Sequence, residues 1–184
     1  MAAPPAQARR PRTQAASSFL RKTLALIGFM GSGKTIVGGL VAERAHAVFH
    51  DLDLMIEDKA GMAISDIFAT RSEAAFRKIE ADLLPTALEP QAVVALGGGT
   101  PIDDANWKVI RSRAMTVYLH ASFEIMWNRI EDFGERPLAA SLSRPELEKL
   151  LEARRTRYEE ADHTVDANRP LDAVATEVLR LWSA

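Results

Sequence analysis

The sequence contains no cysteine, and this absence excludes disulfide bonds, thiolate nucleophiles and cysteine-based zinc sites. Its 4 histidines are scattered and do not suggest a metal-binding cluster. No uninterrupted apolar run approaches the roughly 20 residues that a membrane-spanning helix needs. The formal net charge is only -2, which gives no overall preference for nucleic acid or an anionic membrane. We therefore expect neither nucleic acid nor a membrane as a partner.

The first part of the chain differs in composition from the rest. Residues 1–22 are rich in Ala, Pro, Gln and Arg, and they contain basic residues without a single acid. Such a segment has little to bury, so we predict a disordered extension over residues 1–22 and one folded domain over residues 23–184. We expect a cytoplasmic protein; an Arg-rich organellar transit segment is the alternative for the extension.

Residues 28–35, Gly-Phe-Met-Gly-Ser-Gly-Lys-Thr, form a complete phosphate-binding loop motif. The motif follows an apolar run and precedes a helix-like stretch, which is the context that it requires. Its glycines let backbone N–H groups converge on a polyphosphate, and the helix start adds positive charge. Lys34 of such a loop reaches the β- and γ-phosphates, while the Thr35 hydroxyl is a ligand of Mg²⁺. We expect the nucleotide to be bound by Gly31, Ser32, Gly33, Lys34, Thr35 and Ile36.

Short apolar runs alternate with amphipathic stretches after residue 23, a pattern typical of βα units around a parallel sheet. Two capping signals predict helix starts: Thr70 to Glu73 opens a helix through about Leu84, and Ser143 to Glu146 opens a charged helix to about Ala161. Because parallel strands end at one edge of a sheet, residues far apart in sequence should converge beside the phosphate loop. We predict strands at 24–27, 48–50, 93–96, 116–119 and 163–165.

Two motifs follow predicted strands at this edge. Asp51 and Asp53 are two residues apart, so their carboxylates should share one face of an extended chain. They could serve a metal and a substrate, or they could simply be turn and helix-cap residues. Residues 97–99 are three glycines, which allow close approach of the backbone to a ligand but also suit a plain turn.

Two further features point to a substrate site. Arg77 and Glu80 are three residues apart on a predicted helix, a spacing that would hold the guanidinium in place; an ordinary surface pair is the alternative. The segment 133–138 contains Gly134 and Pro137 between two predicted helices. It could be a mobile lid, extending over about 133–143, or only a connection.

Taken together, these motifs resemble the motif series of the shikimate kinase family, and the resemblance covers about residues 24–180. It implies an α/β, three-layer α-β-α sandwich with a five-stranded parallel sheet and a mobile lid. It also implies transfer of the γ-phosphoryl group of ATP to the 3-hydroxyl of shikimate by an enzyme that is usually monomeric. The matching segments are 28–35, Asp51-Leu52-Asp53, Phe76-Arg77-Lys78-Ile79-Glu80, Gly97-Gly98-Gly99 and Arg136-Pro137-Leu138.

The resemblance also implies roles for individual residues. Asp53 would contact the acceptor hydroxyls and act as the base, and Asp51 would help to hold Mg²⁺ through water. Arg77, oriented by Glu80, would bind the shikimate carboxylate. Gly98 and Gly99 would contribute backbone groups around shikimate, and Arg136 would approach with the lid. Lys34, Asp53 and Arg136 would then be the catalytic residues.

Three basic positions are assigned from the family pattern with less complete matches. A second arginine should bind the carboxylate, and the segment 154–158, Arg-Arg-Thr-Arg-Tyr, offers Arg154, Arg155 and Arg157 without the proline of the family pattern. Its spacing from the tyrosine favours Arg154, with Arg155 as the reserve. Arg129 and the Asn168-Arg169 segment match the family's adenine site, so Arg129 and Arg169 are expected to contact the nucleotide.

Two other functions remain possible from the residues. One is a different small-molecule kinase of the same fold, such as a gluconate or nucleotide kinase, because such enzymes share the phosphate loop and differ in their acceptor pockets. The other is a non-catalytic ATP-binding module. Turnover with shikimate, gluconate and nucleoside monophosphates distinguishes these alternatives.

Overall fold

The computed structural model describes residues 22–133 and 142–184, which form a five-stranded sheet flanked by helices. All of the strand pairs are parallel, and the strand order is β2-β3-β1-β4-β5. The predicted parallel α/β fold is therefore confirmed. The strands are β1 (Thr23–Ile27), β2 (Phe49–Asp51), β3 (Val93–Ala95), β4 (Ala114–His120) and β5 (His163–Asp166).

Eight α-helices connect and cover these strands in the described residues. A short 3₁₀ helix, Thr100–Ile102, follows β3. The helices are α1 (Lys34–Ala45), α2 (Leu52–Ala60), α3 (Ile64–Thr70), α4 (Glu73–Ala87), α5 (Asp104–Arg113), α6 (Phe123–Phe133), α7 (Arg144–Glu159) and α8 (Leu171–Trp182).

The central strand explains why the fold is a sandwich. From Leu24 to Ile27 every residue of β1 is 0% exposed, because β3 and β4 flank the strand and helices cover both faces. A continuous apolar run is what such a doubly covered parallel strand requires. The phosphate loop follows this strand directly, so the core holds the loop in place.

The capping signal at Thr70 was interpreted wrongly. Thr70 is the last residue of α3, and its hydroxyl donates a hydrogen bond to the Asp66 carbonyl oxygen at 2.5 Å. The N-cap of α4 is Ser72, whose side chain accepts from the Ala75 N–H at 3.2 Å. Local spacing alone did not distinguish a helix end from the start of the next helix. The helix also continues past Leu84 to Ala87.

The second capping signal is confirmed. The Glu146 carboxylate accepts hydrogen bonds from the Ser143 N–H at 2.7 Å and from the Ser143 hydroxyl at 2.6 Å. The helix that follows ends at Glu159, two residues before the predicted end at Ala161.

Some predictions fall outside the described residues. The proposed extension, apart from Lys22, and most of the proposed lid belong to the ranges 1–21 and 134–141, and Arg136 lies in the second of these. In the described part of the chain, no helix has the length and the apolar composition needed to cross a membrane.

Candidate active site

The phosphate loop joins the buried strand β1 to helix α1. Gly31 and Gly33 have φ angles of 76° and 96°, a left-handed conformation that glycine adopts readily. A Cβ atom at Gly31 would also lie 2.6 Å from the Met126 carbonyl oxygen. The Lys34 side chain folds over the loop, and its Nζ donates to the carbonyl oxygens of Gly28 and Phe29, both at 3.0 Å.

Two features of the loop suit a phosphate group. The N-cap residue of α1, Gly33, has no side chain to cap the helix. The first N–H groups of α1 therefore have no acceptor within the helix, and the positive end of the helix dipole lies at the loop. The Ser32 Oγ is buried without a hydrogen-bond partner among the described residues. A buried hydroxyl without a partner is costly, and a phosphate oxygen would supply the acceptor. Ile36, the last residue of the predicted nucleotide set, is 48% exposed.

Thr35 and Asp51 provide oxygen atoms for a cation next to this loop. The Thr35 hydroxyl donates to Asp51 Oδ2 at 2.6 Å, and Asp51 Oδ1 accepts from the N–H groups of Asp53 and Leu54 at 3.1 and 3.4 Å. Asp51 is thus both the N-cap of α2 and a partner of the loop. No group of three or more acids or histidines that could hold a metal occurs within residues 22–133 and 142–184. The pair fits Mg²⁺, which keeps waters and phosphate oxygens as most of its ligands.

A cavity of about 320 Å³ opens beside the loop, at the ends of β2 and β3. The apolar part of its lining, called the apolar wall, consists of Met30, Leu54, Ile64, Phe68 and Phe76. Polar groups complete the lining. They are Thr35, Asp51, Asp53, Glu57, Arg77, Glu80 and Arg154, together with the backbone of Gly97, Gly98 and Gly99.

Arg77 is fixed in this cavity by a buried acid. Glu80 is 1% exposed; its Oε2 accepts from Arg77 Nη1 at 2.9 Å, and its Oε1 accepts from the Thr100 hydroxyl at 2.7 Å. Burial disfavours the charged form of Arg77, but the charge of Glu80 and its hydrogen bond outweigh that effect and raise the arginine pKa above its usual value. The pair is therefore not an ordinary exposed surface pair.

The three glycines allow charged side chains to approach the backbone. A Cβ atom at Gly97 would lie 2.7 Å from Asp53 Oδ1, and one at Gly99 would lie 2.7 and 2.9 Å from the two Nη atoms of Arg77. Gly98 lies between them, and its Cβ position is 3.5 Å from Arg154 Nη1. The φ angles of these glycines are not positive, so close packing rather than backbone conformation requires glycine at 97 and 99.

The structure separates the three candidate arginines of α7. Arg154 lines the cavity. Arg155 is paired with Glu152 and its Nη1 lies 3.4 Å from His120 Nε2, whereas Arg157 is paired with Asp104 and Glu160. The spacing argument that favoured Arg154 therefore agrees with the geometry.

Arg129 and Arg169 meet on the opposite side of the phosphate loop. Arg129 donates to the carbonyl oxygens of Gly31 at 3.2 Å and Ala167 at 3.1 Å. Burial lowers the Arg129 pKa from its usual value. Arg169 donates through Nε to the Asp166 carbonyl oxygen at 3.0 Å and pairs with Glu177. Both predicted nucleotide residues thus contact the chain where β5 ends, at Asp166 and Ala167.

Some residues of the site were not predicted. Thr100 holds the buried Glu80, and the phenol of Tyr158 donates to the Gly98 carbonyl oxygen at 2.6 Å. In the sequence, Tyr158 is only the reference position from which the spacing to Arg154 is counted. The apolar wall also gave no signal, because residues such as Ile64 and Phe68 look like ordinary core positions.

A phosphate loop at the end of a central parallel strand, facing a cavity with two arginines and an acid, defines a P-loop kinase. The chain belongs to the shikimate kinase family, because the family model of shikimate kinase matches residues 30–182. A shikimate kinase of Salinibacter ruber is 39% identical over 171 residues, covering 86% of this chain and 83% of that protein.

Solved structures agree with this family. The shikimate kinase from Acinetobacter baumannii in complex with shikimate has a TM-score of 0.82 and 32% identity, and the match covers 87% of this chain and 92% of that one. A gluconokinase from Sinorhizobium meliloti has a TM-score of 0.60 at 19% identity. At that identity the second match supports the fold alone.

Proposed function

We propose that this protein transfers the γ-phosphoryl group of ATP to the 3-hydroxyl of shikimate, forming shikimate 3-phosphate and ADP. The observation that carries the proposal is the cavity beside the phosphate loop, in which Asp53 lies with Arg77 and Arg154 around a glycine backbone. A hydroxylated ring with one carboxylate suits this arrangement, since arginines recognise carboxylates and the apolar wall can cover a ring face.

In the proposed reaction the acceptor hydroxyl oxygen attacks the γ-phosphorus, and the bond from that phosphorus to the β,γ-bridging oxygen breaks. Asp53 orients the hydroxyl and receives its proton, while Lys34 neutralises charge on the phosphates. Alignment and charge neutralisation lower most of the barrier in such transfers. Arg136 completes the proposed catalytic set and lies outside the described residues.

Three groups of residues would hold the ligands. Arg77 and Arg154 would bind the shikimate carboxylate, and the backbone at Gly98 and Gly99 would contact the same molecule. The loop from Gly31 to Ile36, with Arg129 and Arg169, would bind ATP. Thr35 and Asp51 would hold Mg²⁺, which neutralises phosphate charge when it is bound.

We further propose that the enzyme acts as a monomer in the cytoplasm. Every residue assigned to the site comes from one chain, so no partner subunit is needed to complete it. Sedimentation at assay concentration tests the first part of this proposal, and cell fractionation tests the second. Activity confined to a dimer fraction would contradict the monomer.

A coupled assay of ADP release with shikimate, gluconate and nucleoside monophosphates tests the substrate. We expect turnover that depends on shikimate and Mg²⁺. ATP binding without turnover would favour a non-catalytic module, and turnover with another acceptor would favour a different kinase.

Two substitutions test the assigned chemistry. Lys34→Ala and Asp53→Asn should both nearly abolish turnover, but only Asp53→Asn should keep ATP binding close to that of the wild type. Loss of ATP binding in Asp53→Asn would contradict its role at the acceptor hydroxyl.

A further inference from the structure

Tyr158 is a buried phenol behind Gly98, a residue that lines the acceptor cavity. The residue is 0% exposed, and its ring lies 5.3 Å from the ring of Tyr118. Its hydroxyl donates to the Gly98 carbonyl oxygen at 2.6 Å. The Cβ position of Gly98 is 3.5 Å from both the Tyr158 hydroxyl oxygen and Arg154 Nη1, so the phenol and the guanidinium both lie beside this glycine.

The two arginines of the cavity have different supports. Arg77 is supported by the carboxylates of Glu80 and Glu73. Among the described residues, no carboxylate forms an ion pair with Arg154. Its neighbour is instead the Tyr158 phenol, which lies beside the same Gly98 backbone and close enough for the arginine charge to act on the phenol pKa. A phenol can donate to one group while it accepts from another.

We propose that Tyr158 is a positioning residue for the acceptor substrate, acting by fixing the Arg154 guanidinium and the Gly98 backbone relative to each other. This inference rests on the proposed function, in which Arg154 and Gly98 contact shikimate. The phenol suits the task because it orients the arginine without cancelling its charge, whereas a carboxylate at this point would compete with the substrate.

The phenol must keep its proton in order to donate to Gly98. Burial raises the pKa of Tyr158 to about 12, and the charge of Arg154 and its hydrogen bond offset only part of that rise. The residue is therefore a neutral donor at any pH at which the enzyme is assayed.

Tyr158→Phe removes this link and keeps the buried ring. We expect the KM for shikimate to rise about 2- to 10-fold, the range expected for the loss of one hydrogen bond, with kcat and the KM for ATP nearly unchanged. Tyr118→Phe is the matched control, because Tyr118 belongs to the same ring stack and is not assigned a contact with Gly98 or Arg154. A parallel rise in both KM values, or no rise for shikimate, overturns the inference.

A double-mutant cycle separates the inference from the proposed function. Arg154→Ala should raise the KM for shikimate, and adding Tyr158→Phe should then raise it by a smaller factor than Tyr158→Phe does in the wild type, because only the Gly98 contact remains to be lost. If Tyr158→Phe has its full effect in the Arg154→Ala background, Tyr158 does not act through Arg154. If the wild type does not phosphorylate shikimate, the proposed function itself fails.

A measurement on the wild type covers the case in which Tyr158→Phe does not fold. The chain has only 2 tyrosines, so labelling with ¹³Cζ-tyrosine yields two NMR signals, which Tyr118→Phe assigns. Saturating shikimate should shift the Tyr158 signal clearly more than the Tyr118 signal. A Tyr158 signal that does not move overturns the inference.

Discussion

At the scale of single residues, Arg77 lines the cavity, and two glutamates hold its guanidinium in place. Its nitrogens contact Glu80 at 2.9 Å and Glu73 at 3.4 Å. Arg77→Lys keeps the charge but cannot form two parallel hydrogen bonds to a carboxylate. Loss of a charge-assisted contact costs about 1.5–3 kcal/mol, so the KM for shikimate should rise by about 10- to 150-fold while that for ATP changes little.

Steady-state kinetics with each substrate varied in turn measures this effect. Arg180→Lys, at an exposed position of α8, is the matched control and should behave as the wild type. An unchanged KM for shikimate in Arg77→Lys would remove Arg77 from the acceptor site.

A second residue-scale prediction concerns Gly99. Its φ and ψ angles of -90° and -19° suit alanine, so the cost of Gly99→Ala comes only from the Cβ atom meeting Arg77. The guanidinium must move, and the catalytic efficiency with shikimate should fall by about 10-fold or more, as expected when one charge-assisted contact is lost. The same assay with Gly39→Ala provides the control.

Gly39 differs from Gly99 in having open space around it. No atom lies within 4 Å of its Cβ position in α1, so Gly39→Ala should keep full activity and stabilise the helix by up to about 1 kcal/mol. Equal activity of the two alanine variants would show that a Cβ atom at position 99 does not displace the Arg77 guanidinium from its working position.

At the scale of elements, the Asp162 side chain supplies a hydrogen-bond acceptor to strand β4 just before β5 begins at His163. Its Oδ2 accepts from the N–H and the hydroxyl of Thr116, both at 2.8 Å, and its Oδ1 accepts from Arg111 at 3.0 Å. Thr116 is 0% exposed, so Asp162→Ala deprives its buried N–H and hydroxyl of the acceptor to which both donate. We expect a loss of about 1–3 kcal/mol in the free energy of unfolding, measured by urea denaturation.

Asp172→Ala is the control for this prediction. Asp172 also pairs with an arginine, Arg44, but its side chain is 76% exposed, and such pairs contribute little to the free energy of unfolding.

The stabilisation by Asp162 should depend on pH. Burial opposes the ionised form of Asp162, but the hydrogen bonds from Thr116 prevail and lower its pKa. The stabilisation is therefore present above the usual aspartate pKa and is lost as the pH falls, so the difference between wild type and Asp162→Ala should shrink in acid. A difference that is constant with pH would contradict this origin.

Element boundaries were predictable where one signal acts alone. The Ser143 capping box marks a true helix start, whereas Thr70 lies at the junction of α3 and α4, where end and start signals overlap. Short helices such as α3 depend on tertiary packing more than on local propensity, and a local pattern therefore does not reveal them.

At the scale of the whole molecule, the alkaline stability should report on the buried phenol. The Tyr158 pKa of about 12 exceeds the usual value of 10.0, so the folded state retains a proton that the unfolded state loses as the pH rises above 10. Stability then falls with rising pH, by about 2–3 kcal/mol between the two pKa values. Chemical denaturation at pH 9 and 11.5 should show a smaller fall in Tyr158→Phe than in the wild type. Equal falls would mean that other groups account for the alkaline loss.

The sequence motifs named Asp53 and Arg77, which the structure brings to one cavity, and their roles there stay predictions. The choice between Arg154 and Arg155 needed the orientation of α7, since neighbouring residues on a helix point about 100° apart. The roles of Gly99 and Tyr158 depend on contacts between distant segments, which a local motif does not encode.

The strand order has a consequence for how such enzymes diverge. Asp51 ends β2, Asp53 comes two residues later, and the glycines follow β3 on one side of β1, while Arg129 and Arg169 lie on the side of β4 and β5. Under the proposed roles, most of the acceptor contacts thus lie in one half of the molecule and the predicted adenine contacts in the other, with Thr35 and Asp51 at the phosphate loop between them and Arg154 as the exception. Mutations can remodel the acceptor half without disturbing the ATP machinery, so new substrate specificities can evolve on an inherited phosphotransfer apparatus.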